Sequence, residues 1–147
     1  MELPLKITED FTKKFNQKKK VWSMEQFIMG TAYTTMGLAT MLFPLTVSGL
    51  SINKTFLPPK QLKENAPFKL AMQCFGAQAT LCGILICSVP FDRVAYRNFG
   101  LAILPFFVFD LVAWRQGKLN LLGAYIDAIG NTIFCVCCYI GFMKASK

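Results

Sequence analysis

Histidine is absent from all 147 residues. Its absence excludes a histidine-ligated haem, a histidine metal site and a histidine general base. Most common enzyme mechanisms go with them. Charge is scarce as well: 16% of residues are charged, against about 25% in soluble domains. No stretch alternates aromatic and basic residues as single-strand binders do, so nucleic acid is not an expected partner. No cysteine lies outside the apolar runs. All six (Cys74, Cys82, Cys87, Cys135, Cys137 and Cys138) fall inside predicted membrane spans, which argues against a secreted disulfide framework. Metal-binding and nucleotide-binding motifs are missing too, and no cofactor, metal or catalytic site is expected.

What is present is apolar. Apolar residues make up 54% of the chain and the mean hydropathy is +0.41, which places it in the membrane class. Apolar runs cover 22–50, 68–90, 98–116 and 119–143, each near the ~20 residues needed to cross a bilayer. The expected fold is all-α: a four-helix transmembrane bundle over 22–147, preceded by a short amphipathic arm over 1–21. The net charge of +8 sits mostly outside the apolar runs and reads as topology and headgroup contacts.

The arm is rich in lysine, and Phe11 and Phe15 stand at i, i+4 spacing, as in a short interfacial helix. It has Glu2, Glu9 and Asp10 and no arginine, unlike an ordinary mitochondrial transit peptide. The first apolar run is too long and too far in for a cleavable secretory signal. Trp22 stands where an interfacial anchor would. Ten Lys and Arg residues lie in the arm, the 92–97 loop and the C-terminus. Six lie in the 51–69 loop and the 115–118 turn. The positive-inside rule then puts both termini on the cytoplasmic or equivalent side. The expected location is an organelle membrane, either the mitochondrial inner membrane or the endoplasmic reticulum, since internal signals can route such a chain.

Pro58, Pro59 and Pro67 prevent one continuous helix between the first two spans. The sequon Asn53-Lys54-Thr55 lies near the membrane and is expected to be unmodified. Gly30, Gly37 and Pro44 in the first span share their spacing with Gly76, Gly83 and Pro90 in the second. Seven residues is about two helical turns, so the glycines of each helix line one face and allow close approach. An old duplication of a helix pair is the alternative source of this repeat.

The last two spans form a hairpin at Gly117-Lys118, and each carries an aspartate. An acid mid-helix costs roughly 2.5–3.5 kcal/mol on insertion scales, so it is usually turned inward, paired or functional. Asp110 lies seven residues before Gly117 and Asp127 nine after Lys118, which puts them within roughly 3 Å of one depth. Asn131 shares a helix face with Asp127. The same depth falls near Thr40 on the first span and near Gly76 and Gln78 on the second. Asp110, Asp127, Asn131, Gln78 and Thr40 are therefore the candidate intramembrane polar site. Two carboxylates brought together there would resist double ionisation. In the plainer alternative each acid bonds within the bundle, or Asp110 reaches toward Arg115.

Three smaller features complete the inventory. Arg93 and Arg97, expected in a short loop, are candidate lipid-phosphate contacts. Pro105 is expected to kink the third span and free a carbonyl near Leu101. Cys135 and Cys138 form a C-x-x-C whose redox reading competes with plain apolar packing.

The order of these features resembles small four-helix DoxX-like membrane proteins. The residues that carry the likeness are Leu42-Phe43-Pro44, then Cys74-Phe75-Gly76 with Gly83. Phe109-Asp110-Leu111, Gly117, and Tyr125-Ile126-Asp127 with Asn131 follow. Lys69 stands near where that pattern places an arginine. Layout and Phe75-Gly76 also resemble the small membrane scaffold of ergosterol synthesis. Both likenesses imply a compact bundle that works beside other membrane proteins. The expected function is a non-catalytic accessory or scaffold subunit of a membrane complex, with lipids and other subunits as partners. A small-solute or lipid carrier using Asp110 and Asp127 is the alternative, and a thiol oxidoreductase using Cys135 and Cys138 is a third.

Overall fold

Capping residues divide the chain into helices. In the computed structural model, which describes residues 23–145, α1 spans Met24–Leu42 and α2 Pro44–Ser51. Two helices follow, α3 over Pro59–Glu64 and α4 over Ala66–Ser88. The last two are α5 over Arg93–Arg115 and α6 over Leu121–Lys144. Each long helix starts at a side-chain cap. Ser23 accepts from the Gln26 amide at 3.1 Å and Asn65 from Phe68 at 2.9 Å. Asp92 accepts from Ala95 and Asn120 from Gly123, both at 2.7 Å. Such a cap is worth about 1 kcal/mol. The short helices α2 and α3 instead begin with proline in the first turn, where the missing N–H costs nothing. The amphipathic arm and Trp22 lie outside the described residues.

Two expected boundaries move. The first apolar run is not one helix: Phe43 leaves helical geometry at φ −127°, ψ 54°, because a residue before proline is pushed out of the α region. The third span begins at Arg93 rather than Asn98, since Asp92 caps it there. Arg93 and Arg97 therefore lie in the first turns of α5, not in a loop. That helix runs on through Pro105 to Arg115.

Three helices, α4, α5 and α6, are long and apolar enough to cross a membrane. The 19-residue α1 is less apolar, with five threonine and glycine residues between Gly30 and Gly37 and Thr40 beyond. The long helices pack as a row, with α4 on α1, α1 on α6 and α6 on α5. The backbones of α4 and α5 nowhere come close, so one side of the expected bundle is open. The core joins Met29, Ile86, Tyr96, Ile103, Phe134 and Cys138. Tyr33 stacks on Phe134 at 4.8 Å between ring centres and meets the Phe99 ring edge-on.

The α1–α4 seam is backbone against backbone. A methyl group on Gly37 would lie 2.8 Å from the Gly76 carbonyl oxygen, and one on Gly76 would lie 2.7 Å from the Gly37 carbonyl oxygen. Gly30 and Gly83 repeat this reciprocity, at 3.0 and 2.7 Å. Thr34 and Thr80 lie in the same seam, against Gly83 and Gly37, and return their hydroxyl protons to the carbonyls of Gly30 and Gly76 at 2.8 Å. Each contact thus has a mate 46 positions along, as in a local two-fold. The glycine repeat is the seam itself.

The end of the molecule near Gly117 is tied by main chain. Gly117 takes the left-handed conformation (φ 69°), which glycine adopts without strain. Lys118 then donates to the Ala113 carbonyl at 2.9 Å. Asn53 donates its N–H to Lys118 and Asn120 to Ser51, both at 2.9 Å, while the Asn120 side chain donates to Leu50 at 2.8 Å.

A methyl group added to Gly76 has nowhere to go without moving backbone. Gly76→Ala should therefore destabilise the detergent-solubilised protein by about 1–3 kcal/mol. Gly130→Ala, where nothing lies within 4 Å, should leave the thermal midpoint unchanged or raise it.

Candidate functional site

Two of the five polar-site residues bond directly to each other. Asn131 Nδ2 donates to Asp110 Oδ2 at 3.1 Å, between α6 and α5. Asp110 is buried. Asp127, one turn before Asn131, is half-buried and close enough for its charge to interact with that of Asp110. Among the described residues it has no hydrogen-bond partner. The hairpin geometry puts the two acids together because α5 and α6 are antiparallel neighbours joined by the tight Gly117 turn.

The other two do not join this group by hydrogen bonding. Thr40 is buried, but its hydroxyl donates to the Met36 carbonyl of its own helix at 2.8 Å. Gln78 is exposed. It follows Gly76 by two residues, about 200° around the helix, so it points away from the seam that buries Gly76. Equal depth placed it in the layer, and rotation about the helix axis takes it out.

Of the two arginines, Arg93 lies over the Phe142 ring at 4.3 Å from its centre, a cation–π contact. Arg97 Nε donates to Asn98 Oδ1 at 3.2 Å. Both are exposed at the end of the molecule that carries the described chain ends.

That end holds a second polar cluster. Gln26, 1% exposed, donates from Nε2 to the carbonyls of Ile86 and Val89, each at 2.5 Å. Its Oε1 accepts from the Phe91 N–H at 3.1 Å. One amide so closes the free carbonyls at the end of α4 and the entry to the next loop. Ser23 bonds the Tyr96 hydroxyl, and Gly141 lies flat against the Tyr96 ring. Lys144 pairs with Glu25, which is buried and whose Oε2 has no partner among the described residues. Residues 23–26 and 141–144 are thereby fastened together. Glu25 is not among the candidate residues that the sequence offers. Its partner lies 119 residues away, with no local signal to connect them.

The six thiols are free. Cys138 is buried and its thiol reaches Met29 Sδ at 3.6 Å, while Cys135 is partly buried. Among the described residues, no three Cys, Asp or Glu side chains gather as a metal would need. Comparison with family models, with curated proteins and with solved structures finds no match to this chain.

Asn131→Leu should destabilise by about 1–3 kcal/mol, because it leaves a buried carboxyl without its donor. Asp110→Leu combined with Asn131→Leu should recover most of that loss, since removing both partners is nearly neutral. Thermal melts of the two variants beside the parent protein decide it. At the other end, Lys144→Met should lower the melting midpoint by leaving Glu25 unpaired, and adding Glu25→Gln should restore part of it. Lys118→Met, distant from that cluster, is the control.

Proposed function

We propose that this chain is a non-catalytic subunit of a larger membrane assembly, acting as a scaffold or accessory component. The reading takes α1 as a fourth span, since its 19 residues cover about 28 Å and it packs along α4 from Gly76 to Cys87. One observation carries the proposal: Gln78 is exposed at the middle of α4 without a hydrogen-bond partner among the described residues. It stands about 18 Å from one end of α4 and about 15 Å from the other, too deep for its amide to reach water. An unpaired amide in hydrocarbon costs several kcal/mol. A second polypeptide that covers it removes that cost.

The open row agrees with this reading, because it leaves long helix faces without a neighbour among the described residues. Both family likenesses imply the same kind of role. Lipids are the surrounding partners, with Arg93 and Arg97 placed for headgroup phosphate. The assignment to an organelle membrane, with both termini on the cytoplasmic-equivalent side, belongs to the same proposal.

A carrier is the second reading, favoured by Asp127 standing beside Asp110 without a hydrogen bond. Redox use of Cys135 and Cys138 has less support, because Cys138 packs as an apolar core group.

Extraction from native membranes in mild detergent, blue-native electrophoresis and mass spectrometry test the proposal. The expected result is a high-mass band with fixed companions, unchanged by Asp110→Asn with Asp127→Asn. Migration at monomer mass would refute it. Assembly together with loss of solute or lipid binding in the double variant would favour the carrier.

A further inference from the structure

The outer face of α4 has a regular pattern. Ala71, Cys74, Gln78, Leu81 and Leu85 are all exposed. Their spacings run three, four, three, four, the repeat by which helices of a coiled coil meet. This stripe lies opposite the Gly76, Ala79, Gly83 and Ile86 face that is buried against α1. Because α4 is the edge of the row, nothing among the described residues covers it.

The polar groups on the outer faces are not alike. The exposed hydroxyls of Thr35, Ser88 and Thr132 return their protons to carbonyls of their own helices, at 2.9, 2.6 and 2.7 Å. They need no neighbour. Gln78 carries two donors and an acceptor and satisfies none within the described residues.

We infer that a second copy of this chain covers the stripe, with α4 packed in parallel against α4 and Gln78 paired with Gln78. This names the first partner of the surface on which the proposed subunit role rests. Two copies inserted in the same orientation place every α4 residue at the depth of its own counterpart. The carboxamide is both donor and acceptor, so two amides satisfy each other around a two-fold axis. A different partner would need its own polar residue at that depth. A single polar residue in an apolar seam also fixes register and the number of strands. Cys74 then faces Cys74 across the axis, one turn from the amides, while Cys82 lies to the flank.

Oxidative crosslinking tests this with the full-length protein in phosphatidylcholine vesicles and in native membranes. Copper phenanthroline removes one electron and one proton from each of two Cys74 thiols and joins the sulfurs. The expected product is a covalent dimer on non-reducing gels, abolished by Cys74→Ser and retained by Cys82→Ser. Gln78→Leu should weaken association roughly three- to thirtyfold, while Gln78→Asn keeps most of it. Neither variant touches the α1 seam, so the monomer should melt unchanged. A dimer indifferent to Cys74→Ser or to Gln78→Leu overturns the inference. So does a native high-mass band with fixed companions but no Cys74 crosslink, although the subunit reading then survives. Monomers in both assays overturn the two together.

Discussion

The contact on which the rest of the structure depends is that of α1 with α4. It has almost no side chains in it. Gly30, Gly37, Gly76 and Gly83 remove every atom that would hold the backbones apart. In a lipid solvent no hydrophobic force draws two helices together, so association rests on packing and hydrogen bonds. Close approach supplies the packing. Thr34 and Thr80 fill the seam and bond within their own helices, so they add no unsatisfied group. With that pair fixed, α1 presents Met29 and Tyr33 to α6, and α6 carries α5 through the Gly117 hairpin.

The remaining stability lies at the two ends. At one, short main-chain bonds between 50–53 and 118–120 lock α2 to the hairpin turn. At the other, a buried glutamine, a tyrosine hydroxyl and a lysine–glutamate pair do the same work with side chains. Between them the interior is apolar and aromatic, apart from Asp110 and Asn131 and the threonine hydroxyls bonded within their own helices. The polar groups are thus placed mostly where helices end and carbonyls lack partners.

Much of this was legible in the sequence. The apolar runs, the Gly117 turn, the seven-residue glycine spacing and the similar depth of Asp110, Asp127 and Asn131 on adjacent helices follow from composition, period and local sequence distance. Thr40 is buried but gives its hydroxyl to the Met36 carbonyl of its own helix, and Gln78 was missed for a geometric reason. Depth counts residues along a helix, while neighbourhood also depends on rotation, and two residues reverse a helix face. The Gly76 face, once recognised as buried, already turned Gln78 outward. Glu25 with Lys144 and Gln26 with Val89 were not legible because tertiary packing alone brings those positions together. The charge of Arg93 and Arg97 suggests a loop, whereas the Asp92 cap draws both into α5.

The fastening of residues 23–26 to residues 141–144 has a consequence for the order in which the molecule is made. Ribosomes deliver Glu25 of α1 119 residues before Lys144 of α6. Glu25 therefore enters its helix long before its counter-charge has been synthesised. Until α6 has followed, that carboxylate lacks its partner, and burying it unpaired is costly. The α1–α4 pair can form earlier, once residue 88 has emerged. The glycine seam thus sets the first stage of assembly, and the end of α6 completes it.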